Sequence, residues 1–341
     1  MRSSPTIPPA STLALSLALT LALLATACGL TRPTPAGFPT PAARASQGTP
    51  TPPASASARA GDIRHSALTA ALQRRIALLP GAEVGLWLED LATGATLGIA
   101  DTVAFHAAST MKVPVMIELF RRADAGALTL HDRLSLPNRF ASIVDGSPYS
   151  LSANDDSDGA LYGRVGAPIS LLELNERMIV RSSNLATNVL IERLDPTRVT
   201  STARALGGEG VLVRRGVEDG VAFRAGLNNT TTARGLGKLL VALERGEAAS
   251  AWATVAMRET LLRQEFNDEI PAGLPAGTRV AHKTGWITAT THDAAIIYPP
   301  KRAPFVLVIL TRAIPERADA QRLMADLARL VWDDLTLRRA P

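Results

Sequence analysis

Strand-like segments stand at both ends of the foldable part of this 341-residue chain, and helical patterns fill the distance between them. Near the start, Glu83 to Glu89 alternates, Leu91-Ala92-Thr93-Gly94 reads as a turn, and Ala95 to Ala100 reads as a second strand. Near the end, Arg279 to Gly285, Asp293 to Tyr298 and Phe305 to Thr311 read as three more strands. From about residue 110 to residue 265 the pattern is mostly helical, broken by turns. Two more helices bracket the strands. His65 to Leu79 carries Leu68, Leu72, Ile76 and Leu79 at helical spacing and stops at Pro80-Gly81. Glu316 to Leu335 sets Leu323, Leu327, Leu330 and Val331 on one face. The expectation is an α+β fold: one antiparallel sheet built from both chain ends, flanked by helices, with a helical subdomain inserted.

The first residues cannot join that core. Arg2 is followed by an apolar run from about Leu13 to Ala27 that ends in small residues, so residues 1–27 read as an export signal peptide. Leu24-Ala25-Thr26-Ala27-Cys28 resembles a bacterial lipoprotein box, with Cys28 as the lipidated residue. An ordinary cleaved signal with an incidental cysteine is the alternative. Residues 28–60 are rich in Pro, Thr, Ser and Ala and read as an extended linker, since they bury too little to offset ordering entropy. The globular part is then 61–341. The expectation is an exported, membrane-anchored lipoprotein facing the periplasm or cell exterior, attached through its lipid alone.

Composition removes other classes. The net charge of +5 is scattered among acids without a basic, aromatic-bearing stripe, which argues against nucleic-acid binding. One cysteine allows no intramolecular disulfide. The five histidines (His65, His106, His131, His282 and His292) show no compact ligand spacing, so neither a metal nor another cofactor is expected. Nothing demands a partner, and a monomer is the default.

Of 36 basic residues only Lys112, Lys238, Lys283 and Lys301 are lysines, so a lysine at a meaningful spacing is informative. Ser109-Thr110-Met111-Lys112 opens an apolar-periodic segment, Val113 to Ala123, and at i and i+3 on a helix its Ser and Lys can touch. A serine hydroxyl is a weak nucleophile until a base takes its proton, and a lysine made neutral by burial or a neighbouring cation is such a base. Ser182-Ser183-Asn184 follows the helical stretch Leu171 to Val180, and Lys283-Thr284-Gly285 lies on an expected strand.

In this order, the three motifs resemble those of the class A β-lactamases and penicillin-binding proteins, over about residues 64 to 338. The second motif departs from S-D-N, with Ser183 in place of the middle acid. The resemblance implies a small-molecule substrate, a β-lactam or a peptidoglycan-like peptide, and a role for each matching residue. Ser109 attacks the lactam carbonyl. Lys112 accepts its proton or belongs to that relay. Ser182 passes a proton to the departing nitrogen, and Asn184 holds the substrate side chain and Lys112. Lys283 supplies positive charge for the substrate carboxylate, helped by Thr284, and repels charge from Lys112. Gly285 lets substrate lie close to the strand. The backbone N–H groups of Ser109 and Trp286 form the oxyanion hole.

Deacylation needs a base for water. Asn229-Thr230-Thr231-Thr232-Ala233 looks like the helix start that follows the family's catalytic loop, which makes Glu218 the candidate base and Asp219 its weaker competitor. A surface acid is the alternative for Glu218. Ala222 stands where the family has a water-holding Asn, with Asn228 or Asn229 as substitutes. Tyr149 reads either as a wall of the site or as a turn aromatic, and His292 as a structural polar residue. The acidic stretch from Asn154 to Gly159 reads as a solvated loop. The functions weighed are a serine β-lactamase, a D-alanyl-D-alanine peptidase or other envelope serine amidase or esterase, and a non-hydrolytic β-lactam-binding sensor.

Overall fold

The structure is a computed structural model and describes residues 56–336. The expected signal peptide, Cys28 and most of the linker lie outside the described residues. Helix α1 (Ala56–Ala77) begins well before His65. Alanine favours helix without adding large apolar residues, so no periodicity announces that first stretch.

The chain continues through β1 (Glu83–Asp90), β2 (Thr96–Ile99), β3 (Phe105–His106), a 3-10 turn at Ala108–Met111 and α2 (Lys112–Asp124). Short strands β4 (Arg133–Ser135), β5 (Phe140–Ala141), β6 (Pro148–Tyr149) and β7 (Pro168–Ser170) precede α3 (Leu171–Val180), α4 (Asn184–Leu194) and α5 (Pro196–Ala205). Then come α6 (Gly220–Arg224), β8 (Thr230–Thr231), α7 (Ala233–Glu244) and α8 (Ala251–Leu262). The last elements are β9 (Arg279–Ile287), β10 (Thr290–Tyr298), β11 (Phe305–Arg312) and α9 (Arg317–Thr336).

The expected sheet is present. Its five strands run in the order β2-β1-β11-β10-β9, antiparallel throughout, and β1 joins the two chain ends by pairing with β11 from Glu83↔Arg312 to Asp90↔Phe305. Helices cover both faces, so β11 is buried along nearly its whole length. Successive side chains point to opposite faces. Phe305, Leu307 and Ile309 enter one core with Leu68, Leu72, Leu323 and Leu327 of α1 and α9. Val306, Val308 and Leu310 enter the other, with Phe120, Leu190 and Leu240 of the inserted helices. Glu89 departs from simple alternation. It is buried, and its carboxylate is held by Lys238 at 2.7 Å and Arg245 at 2.8 Å.

Candidate active site

Several chain segments meet at one cleft of about 760 Å³, whose walls include Ser109, Ser182, Asn184, Glu218 and Trp286. Ser109 sits in the 3-10 turn that leads directly into α2. Two features fix that turn. Ala108, at φ 44°, takes a left-handed conformation, and its N–H donates to His106 Nδ1 at 3.0 Å. His292 Nε2 lies 2.8 Å from the His106 carbonyl, while its Nδ1 accepts the Thr311 N–H at 3.2 Å. Burial pushes His292 down to about 4, so it works as a neutral strut, the structural role expected.

Gly285 lies against the same turn. A β-carbon there would stand 2.7 Å from Ser109 N and 2.9 Å from Thr110 N. What the missing side chain admits is therefore the nucleophile turn itself, in addition to any substrate along β9. The next residue, Trp286, lines the cleft and is braced by the Arg317 guanidinium 3.9 Å above its ring and by Phe266 at 5.0 Å.

Lys112 and Lys283 are both fully buried, with the Ser182 hydroxyl between them. Lys112 Nζ bonds Ser182 O at 2.5 Å, Ser182 Oγ at 3.2 Å and Asn184 Oδ1 at 3.0 Å. Lys283 Nζ donates to Ser182 Oγ at 3.0 Å and to Thr284 O at 2.8 Å. Burial pushes Lys112 down to about 7, against the upward pull of Asp156 and Glu218. Burial, reinforced by the Lys112 charge, drives Lys283 well below the usual lysine range, against Asp293 and Glu269. The two amines titrate as a pair.

Two expectations need correction here. Among the described residues, no hydrogen bond joins Ser109 Oγ to Lys112; the lysine bonds the Ser182 carbonyl, the Ser182 hydroxyl and Asn184. Thr284 does not reach the cleft wall. Alternation along β9 puts it on the face opposite Lys283, opposite Asp293 of β10, with its hydroxyl buried and unbonded among the described residues.

Ser182 itself is left-handed at φ 58°, in the break between α3 and α4. Ser183 caps α4 by accepting the Ala186 N–H at 3.3 Å. Asn184, the first residue of α4, uses its whole amide: besides accepting from Lys112, it donates Nδ2 to Glu218 Oε1 at 3.1 Å. Glu218 is also left-handed, at φ 63°. Three left-handed non-glycine residues thus bear on one cleft, and such strain persists only where the surroundings over-determine it.

The Glu218 loop is closed at its neck by mutual backbone bonds between Leu212 and Thr230, and β8 pairs with β3 just ahead of Ser109. Asn229 bonds the N–H groups of Arg214 and Arg215 and the Arg215 carbonyl, at 2.7, 3.1 and 3.0 Å. Asn228 Oδ1 accepts from Arg215 at 2.8 Å. Both asparagines brace the loop, Asn229 also lines the cleft, and Ala222 is buried in α6. Asp219 is spent as well. Burial raises its carboxyl, but bonds from Ala222 N, Ile143 N and Ser142 Oγ outweigh this and hold it below the usual range. Glu218 shares the cleft wall with Asp155 and Asp156, and it is the acid that Asn184 links to Lys112. Burial of its carboxyl pushes it up; the Asn184 bond pulls down, Asp156 and Asp155 add to the rise, and Lys112 opposes it.

Sequence reasoning missed several supports. Asn188 clamps the loop by accepting Val217 N–H at 2.6 Å and donating to Val217 O at 3.0 Å. Tyr149 packs at a tilt against Phe140, its hydroxyl accepts from Asn188 Nδ2 at 3.3 Å, and it lies behind the loop without lining the cleft itself. The acidic stretch is solvated only in part: Asn154, Asp155 and Ser157 are exposed, whereas Asp156 and Asp158 are buried, and Asp158 pairs with Arg177 at 2.9 Å. Buried Asx and helix-end partners leave no periodic signal, so only chain geometry finds them. Among the described residues no cluster of potential metal ligands is present.

A serine at a helix entrance, a buried amine near neutrality, a relay hydroxyl and a carboxylate at the wall define a serine hydrolase that works through an acyl-enzyme. The profile of the beta-lactamase enzyme family matches residues 67–335, and the chain belongs to that family. It is a serine hydrolase related to the class A enzymes. A β-lactamase of Streptomyces fradiae is 29% identical over 260 residues, 75% of this chain and 82% of that protein. The solved structure of PBP-A, 25% identical, superposes with a TM-score of 0.68 over 79% of this chain and 96% of that one, and a variant of it is solved as an acyl-enzyme complex with penicillin G. An ancestral class A β-lactamase, 28% identical, gives 0.65 over 79% and 99%.

Proposed function

We propose that this protein hydrolyses the β-lactam amide through an acyl-enzyme on Ser109. The carrying observation is the buried Lys112–Ser182–Lys283 chain behind the nucleophile, joined through Asn184 to Glu218. Near pH 7 a large fraction of Lys112 is neutral and has a lone pair for the Ser109 proton. Ser109 Oγ bonds to the lactam carbon, and negative charge on the oxygen is met by the N–H groups of Ser109 and Trp286. The C–N bond breaks as Ser182 gives its proton to the ring nitrogen and is resupplied from Lys112. Lys283 attracts the substrate carboxylate, whose negative charge favours the protonated amine. Glu218 then takes a proton from water, the water oxygen attacks the ester carbon, and the proton returns to Ser109 Oγ.

Export and lipidation at Cys28 belong to the same proposal, supported by Arg2, the apolar run to Ala27 and the lone cysteine. Attachment is by lipid, with the protein monomeric and facing the periplasm or cell exterior. Among the described residues no helix is long and apolar enough to cross a membrane. Cys28→Ala is expected to leave the membrane fraction; retention there would refute lipidation.

The test of function is turnover of a chromogenic cephalosporin by the wild type, Ser109→Ala and Glu218→Gln. Many turnovers, abolished in the first variant and arrested as a mass-detectable acyl-enzyme in the second, are expected. A single burst from the wild type would favour the sensor reading, and D-alanine release without β-lactam turnover the peptidase.

A further inference from the structure

The N-terminus of α4 carries two of the working side chains, Ser182 just before it and Asn184 at its first position, yet Ser183 supplies no charge there. Ser183 satisfies only the Ala186 N–H. The N–H groups of Asn184 and Leu185 are among those a helix leaves without internal partners. Both are taken by one oxygen from elsewhere: Asp156 Oδ2 accepts Asn184 N–H and Leu185 N–H, each at 2.9 Å. The same oxygen accepts the Tyr162 hydroxyl at 3.0 Å, and Oδ1 accepts the Asp158 N–H at 3.0 Å. Asp156 is 8% exposed. Its loop is pinned in turn by Asp158 to Arg177 at 2.9 Å and to Arg181 at 3.6 Å.

We propose that Asp156 is a positioning residue for acyl transfer, supplying from 28 residues upstream the carboxylate that the Ser182-Ser183-Asn184 motif lacks. The inference rests on the β-lactamase reading above. A carboxylate at a helix N-terminus is favoured by the helix dipole, and its bonds to N–H groups are charge-assisted. Here they hold a turn whose first residue, Ser182, is in left-handed strain. That turn aims the Ser182 carbonyl and hydroxyl and the Asn184 amide oxygen at Lys112. Asp156 borders the cleft, but its hydrogen bonds go to Asn184, Leu185, Tyr162 and Asp158 and not to Ser109 or Lys112. It acts through Ser182 and Asn184, and its charge also opposes the loss of the Lys112 proton.

The test compares the full-length wild type with Asp156→Asn and with the double variant Asp156→Asn, Ser183→Asp. An acid at the cap position reaches the second amide of its own helix, so the double variant restores the missing carboxylate in the local form. The readouts are the Ser109 acylation rate with a fluorescent penicillin, thermal unfolding, and hydrogen exchange at the Asn184 and Leu185 amides. Asp156→Asn is expected to acylate at least about thirtyfold more slowly, with faster exchange at both amides, and the double variant to return to within about fivefold of wild type. A single variant within about twofold of wild type overturns the proposal, as does a double variant as slow as the single one. If Asp156→Asn does not fold, the double variant decides: folded and acylating supports the proposal, unfolded or inert overturns it. A wild type that no penicillin labels sinks the β-lactamase reading instead, and amide exchange, lost and regained across the two variants, then judges the positioning role alone.

Discussion

Asn184 donates its Nδ2 to Glu218 Oε1 at 3.1 Å while its Oδ1 accepts from Lys112 at 3.0 Å. The proposed base of acylation, Lys112, and the proposed base of deacylation, Glu218, are therefore held by opposite ends of one amide. Asn184→Ala is expected to lower both the acylation and the deacylation rate, each by about a hundredfold, since small misplacements of working groups cost that much. Single-turnover kinetics would separate the steps. Loss confined to one of them would show that the two bases are set independently.

The acylation rate should follow the neutral form of Lys112. Its pKa is lowered to about 7, chiefly by burial, so the rate is expected to rise with pH through about 7 and then level. Stopped-flow acylation across pH 5 to 9 reads this limb, and a limb in the ordinary carboxylate range would remove Lys112 as the base.

The lysine pair also writes itself into stability. Lys112 falls from 10.5 unfolded to about 7 folded, and Lys283 falls as well. Between those values the unfolded chain binds more protons, so this contribution to stability rises with pH from about 7 upward, by at most about 1.4 kcal/mol per pH unit for each lysine. Denaturant midpoints at pH 7 and pH 9 should show the rise, and Lys283→Met should flatten it.

Gly285→Ala brings a methyl group within 2.7 Å of Ser109 N, a backbone atom with no freedom to swing away. The expected cost is about 1–3 kcal/mol of stability together with a loss of acylation, because the turn that must move carries the nucleophile. Thermal unfolding and acylation rates measured on the same preparation check both. An unchanged acylation rate would mean that the turn tolerates displacement.

Asp219→Ala removes bonds to Ser142, Ile143 and Ala222 at once. A destabilisation of about 1–3 kcal/mol is expected, with deacylation hurt more than acylation because Glu218 is the adjacent residue. Equal loss in both steps would argue that the loop serves the whole cleft.

The sheet was readable because its strands are strongly apolar and their turns are marked, and Ser109, Lys112, Ser182 and Lys283 because they stand in three short motifs whose order resembles that of a known family. The supports were not. Asp156 looks like any acid in a turn-rich stretch until the fold brings it to α4, and Asn229 looks like a helix-start residue until it is seen gripping Arg214 and Arg215. Thr284 was placed at the substrate by its motif, whereas its hydroxyl is set by strand alternation, which sends it to the face opposite Lys283. Ala56 to Arg64 entered α1 without an apolar stripe to announce it.

The pairing of Glu83 with Arg312 joins residues 229 apart, and Ser109 leans on a strand from the late end. A chain emerging from its N-terminus therefore displays its nucleophile long before Lys283 exists. Contacts so distant in sequence form slowly, and partial chains expose what the full one buries. The reactive centre is thus a completion signal: Ser109, Lys112, Ser182 and Glu218 are all made before the last strands arrive, but Lys283 and the strand on which the nucleophile turn rests are not.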